Sequence, residues 1–104
     1  MADYWEQQME KQYAMEDKLN ESMAINIQYN EEDYEELKEL LASTRRDIAN
    51  MRDRSSTYYY HLRDIEDRTT YKMKTLQEQI ERKKQVLMER RLSSLERKIK
   101  QTIE

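Results

Sequence analysis

Apolar side chains recur at alternating steps of four and three through the first half of the chain, in the series Met23, Ile27, Asn30, Tyr34, Leu37, Leu41, Thr44, Ile48 and Met51. That spacing sets all nine on one helical face, with Asn30 and Thr44 as its polar members, and its period is that of a coiled-coil seam. The second half repeats the pattern. Leu62, Ile65, Thr69, Met73, Leu76, Ile80 and Leu87 share a face, and Met88, Leu92, Leu95, Ile99 and Ile103 continue it after a small shift in phase. Such a shift reads as a stutter, which changes the supercoil locally without ending the helix. Two helical arms are predicted, over about 3–52 and about 58–103.

Between the arms, at about 53–57, the pattern predicts a turn. Arg52, Asp53, Arg54, Ser55, Ser56 and Thr57 are the one stretch where apolar residues vanish and cap-forming side chains gather. A hydroxyl of Ser55, Ser56 or Thr57 is suited to accept from the first free N–H groups of the next helix. One continuous helix is the alternative, because Ser and Thr cost only a few tenths of a kcal/mol inside a helix. A weaker break is signalled at Asn26 to Asn30. Asn30 with Asp33 three residues on resembles a capping box, and Tyr29 is placed to staple against Tyr34. Either a short N-terminal helix precedes the hairpin, or the first arm is unbroken and Asn30 is a polar seam residue that fixes register.

Composition supports helix and little else. Gly, Pro, Cys and Phe are absent, and 39% of the chain is charged. Tight turns, sheets, disulfides and loop-built sites lose their usual residues. Charge divides at the same place as the apolar pattern. Residues 1–53 hold 6 Lys/Arg against 14 Asp/Glu (net −8), whereas 54–104 hold 13 against 8 (net +5). Opposite halves favour antiparallel pairing within one molecule, although each exposed pair contributes only about 0–1 kcal/mol. The expected fold is therefore all-α, a single elongated, coiled-coil-like antiparallel helical hairpin over 1–104, with an extra N-terminal helix if the break at Asn30 is real.

The same residues exclude most chemistry. His61 is the one histidine, and no thiolate exists to complete a transition-metal site with it. The run Glu31, Glu32, Asp33, Glu35 and Glu36 lies on a helix beside a seam, which makes it a solvated face and not a pocket able to tune a general acid. Without Gly there is no phosphate loop, and no Ser or Thr has a base partner. No enzyme activity, metal or cofactor is expected. Arg82, Lys83, Lys84, Arg90, Arg91, Arg97 and Lys98 raise the question of phosphate binding, yet they alternate with Glu78, Glu81, Glu89 and Glu96 and face an acidic first arm. Pairing within the molecule is preferred to nucleic-acid binding. Neither an export signal nor an apolar run of membrane-spanning length is evident, so the expected location is cytoplasmic, with export alongside a partner left open.

Two arms in contact bury only a narrow stripe, which directs attention to residues able to engage another chain. Trp5, Met9 and Tyr13 form an i, i+4, i+8 series, and Tyr58, Tyr59 and Tyr60 are consecutive, so that they point about 100° apart on a helix and cannot all enter one seam. Together with Tyr34, Leu37, Leu41 and Leu62 they are the candidate partner interface. Large aromatics with a polar tip suit such surfaces. The partner is expected to be another helical protein, in an adaptor or chaperone role, or a second copy in a structural coiled coil of a cytoskeletal or phage-assembly kind.

The acidic heptad stretch MEDKLNESMAINIQYNEEDYEELKELL and the charged closing helix LQEQIERKKQVLMERRLSSLERKI resemble the small α-helical targeting factors encoded beside LXG toxins in type VIIb secretion loci of Gram-positive bacteria. The likeness covers roughly residues 15–104. It implies a protein that packs against the helical N-terminal domain of a toxin and delivers it to the export machine. The WxG turn of the related small secreted proteins is missing, because Trp5 is followed by Glu6 and Gln7, and no functional residue carries over.

Overall fold

The computed structural model describes residues 2–103, with side chains from 3 to 101. The fold is an all-α helical hairpin of two long helices, α1 (Ala2–Asn50) and α2 (Thr57–Ile103), joined by residues 51–56. No described residue has a positive φ. Of the two readings at Asn30, the unbroken arm is the one observed, since α1 runs through residues 26–30 without interruption.

The chain divides into two compact units, and the helices pass from one to the other. Residues 29–80 form a hairpin around the connection. Leu41, Thr44, Ile48, Leu62, Thr69 and Ile80 are buried, and Tyr34, Leu37, Met51, Ile65, Met73 and Leu76 are half-buried beside them. These are the predicted seam positions, spaced by fours and threes that alternate except at Ile65, Thr69 and Met73, where two fours follow one another. The buried Thr44 hydroxyl donates to the Leu40 carbonyl at 2.8 Å, a bond within its own helix that removes the cost of enclosing it. Asn30 is less well served, because its buried Nδ2 has no hydrogen-bond partner.

In the unit made of residues 1–28 and 81–104 the two helical segments are antiparallel, as the contacts Lys83 to Asn26, then Arg97 to Glu16, run in opposite order along them. Ile27, Leu87 and Asn20 are buried here. The expected shift of phase at Met88 does not occur. Packing continues in the register of Ile80, through Lys83, Leu87, Ser94 and Arg97, each buried or half-buried. Met88, Leu92, Leu95 and Ile99 instead lie in solvent, 71%, 57%, 55% and 49% exposed; the Ile103 side chain lies outside the described residues. The reason is on the opposing segment, where Tyr13, Glu16, Asp17 and Asn20 line the contact. Rotating the apolar series inward would set Leu95 and Ile99 against two carboxylates, whereas the observed register gives those carboxylates Arg97 and Lys98.

Candidate protein-docking faces

Side chains close the connection. The Asp53 carboxylate accepts from the Ser55 hydroxyl at 2.6 Å and from the Ser55 backbone N–H at 3.0 Å. These two bonds, the hydroxyl first, hold the Asp53 carboxyl below its ordinary value, against a smaller opposing effect of desolvation. Ser56 is the N-cap of α2, its hydroxyl oxygen accepting from the Tyr59 N–H at 3.2 Å and its hydroxyl donating to the Asp53 carbonyl at 3.3 Å. Capping fixes where the tyrosine triplet points. Tyr59 is half-buried, while Tyr58 and Tyr60 stand in solvent. The Tyr59 and Tyr60 rings meet edge to face at 5.5 Å.

At the other end of α2 the contact between segments is polar. Arg97 forms an ion pair and hydrogen bond with Glu16, and its guanidinium carbon sits 4.6 Å from the centre of the Tyr13 ring. Hydrogen bonding from Arg97 holds the Glu16 carboxyl below its ordinary value, with burial opposing and the positive charges of Arg97 and Arg90 assisting. The same bond raises the Arg97 guanidinium. Lys98 reaches Asp17 at 4.0 Å, and the Lys83 ammonium donates to the Asn26 side-chain oxygen at 2.7 Å. Lys83, Arg97 and Lys98 of the basic cluster thus have partners within the molecule.

The candidate interface residues fall into two sets. Leu41 and Leu62 are buried in the hairpin of residues 29–80, and Tyr34, Leu37 and Tyr59 are half-buried, so this set is taken up largely by the chain itself. Trp5 (70% exposed), Met9, Tyr58 and Tyr60 remain open. Tyr13 parts company with Trp5 and Met9 because a four-residue step advances about 40° around a helix, and two such steps carry Tyr13 into the contact and under Arg97. Leu37, Leu40, Tyr71 and Leu76 line a groove between the helices in the 29–80 unit.

The outward face of Met88, Leu92, Leu95 and Ile99 is not what their spacing predicts, which is a place in the seam. A signal was available, since the 3–4 alternation from Met73 runs on without a break through Lys83, Leu87, Arg90, Ser94 and Arg97, only with mostly polar side chains. Among the described residues no helix is long and apolar enough to cross a membrane, and no group of three or more His, Cys, Asp or Glu is placed to hold a metal ion. No family model matches the chain, and no curated protein or solved structure is significantly similar to it.

Proposed function

We propose that this protein is a non-enzymatic helical adaptor that packs on a helical domain of a partner protein. One observation carries the reading: among the described residues six apolar side chains are buried while sixteen large ones are exposed, so folding leaves much apolar surface open to another chain. Total area agrees. The chain exposes 8874 Å², whereas a compact monomer of 12.9 kDa exposes roughly 6,300 Å². The difference exceeds the roughly 800 Å² that one partner contributes to a standard interface.

The resemblance to targeting factors of LXG toxins makes the helical N-terminal domain of such a toxin the first partner to test. Co-expression with that domain is expected to give a complex in which the surfaces around Trp5, Met9, Tyr58 and Tyr60 gain protection from amide exchange, with a raised unfolding midpoint. A chain that unfolds cooperatively at one midpoint, indifferent to every co-expressed helical neighbour, overturns the adaptor reading.

A further inference from the structure

We infer that the outer face of α2 is a self-pairing surface, on which a second copy of this chain lies parallel and in register. Met88, Leu92, Leu95 and Ile99 are spaced by four, three and four residues, so they form an apolar stripe with a heptad period of its own. The stripe sits roughly 140° around the helix from the Leu87, Ser94 and Arg97 face that packs on α1, and it is exposed. A helix with apolar or packed positions on two opposed faces is built to have a neighbour on each.

Charge on the two edges of the stripe selects the neighbour. One edge carries Lys84, Arg91 and Lys98, seven residues apart; the other carries Glu89 and Glu96, also seven apart. With Leu92 and Ile99 as a positions and Met88 and Leu95 as d positions, the basic edge is g and the acidic edge is e. In a parallel pair each g residue faces the e residue five places later on the other chain, so Lys84 meets Glu89 and Arg91 meets Glu96, on both sides of a two-fold axis. In an antiparallel pair g faces g and e faces e, which sets Arg and Lys against one another and Glu against Glu. A second copy in parallel is therefore matched by its own edges, while the antiparallel arrangement is opposed by them. Lys84 and Lys98 already have interactions within their own chain, so the contact that selects the parallel pair is Arg91 with Glu96. Arg91, Glu89 and Glu96 have no ion pair among the described residues.

Four apolar residues per copy make a short contact, smaller than a standard interface, so association in roughly the micromolar range or weaker is expected. It leaves Trp5, Met9, Tyr58 and Tyr60 for a different chain, and it stands or falls independently of the adaptor role.

Sedimentation velocity of the full chain over two decades of concentration is expected to show a monomer–dimer equilibrium. Leu92→Lys is expected to abolish the dimer with unchanged helical circular dichroism, since Leu92 is exposed. Arg91→Glu should weaken pairing several-fold by facing Glu96 of the other copy, and the double change Arg91→Glu with Glu96→Arg should restore it. Because the chain has no cysteine, Leu92→Cys supplies a unique thiol that should cross-link to itself under mild oxidation, whereas Arg82→Cys, off the stripe, should not. Strict monomer at every concentration, a dimer that survives Leu92→Lys, or an Arg91→Glu variant that pairs more tightly would each overturn the proposal. So would protection of the stripe only by a foreign helix.

Discussion

With no glycine available to end a helix in the left-handed conformation, the reversal of this chain depends on two side chains. Asp53 organises Ser55, and Ser56 caps α2 through the Tyr59 N–H. Ser56→Ala is expected to lower stability by about 1 kcal/mol, and Ser56→Asp to retain most of it, because a carboxylate caps as well as a hydroxyl and suits the positive end of the helix. Urea unfolding monitored by circular dichroism checks both, and an alanine variant as stable as the parent would assign the turn's stability to the seam alone. The turn was legible as a cluster of cap-type residues without apolar neighbours. Which hydroxyl is the cap was not, since Ser55, Ser56 and Thr57 are equivalent until the end of α2 is fixed to within one residue.

At the scale of the element, the seam of residues 29–80 followed from spacing alone because its positions recur every three or four residues. Asn30 is the exception that spacing flagged and packing explains. It holds a seam position and encloses an amide nitrogen with no partner. Such a group costs on the order of 1–3 kcal/mol, and apolar residues are the stable choice at that position. Asn30→Leu should therefore raise the urea midpoint, by an amount equivalent to about 1–3 kcal/mol, while register becomes less strictly defined. A lower midpoint would mean that the amide finds a partner in solution and that its burial is not a defect. Further along α2 the sequence misled for a physical reason. Periodicity identifies an apolar stripe but not which neighbour it faces, and from Met88 to Ile99 the stripe faces away from α1 while Lys83, Ser94 and Arg97 occupy the contact. Opposed charges such as Glu16 and Arg97 decide that contact, and they belong to a pattern that hydrophobicity alone does not record.

Across the whole molecule each of the two units has its own stabilising forces, and each should respond to different conditions. Residues 29–80 rely mainly on buried Leu, Ile and Thr, which salt and mild acid leave largely intact, with one ion pair between the helices, Arg45 to Glu66 at 3.5 Å. The unit of residues 1–28 and 81–104 relies on Glu16, Asp17, Arg97 and Lys98 near its open end, where exposed ion pairs weaken as ionic strength rises. Because the folded Glu16 carboxyl titrates below its ordinary value, its contribution is present above that value and is lost as pH falls through the depressed one. Amide exchange followed by mass spectrometry is expected to show residues 1–28 and 81–104 opening sooner than 29–80 at neutral pH. The gap should widen in high salt, and again in acid once pH falls below the ordinary glutamate range and through the depressed Glu16 value. Glu16→Gln separates this from acid effects at Asp53, since it should reproduce the early opening at neutral pH and remove most of the further change on acidification within that unit. Equal protection along both helices, unmoved by salt, would mean that the polar contact contributes nothing and that the few apolar residues there, Ile27 and Leu87 among them, suffice. If the gap is found, the easily opened unit is also the one bearing Trp5, Met9 and the outer stripe of α2. Partner binding and loosening of the hairpin would then act on the same residues, and a partner that prefers the opened segments would be favoured by the conditions that release Glu16 from Arg97.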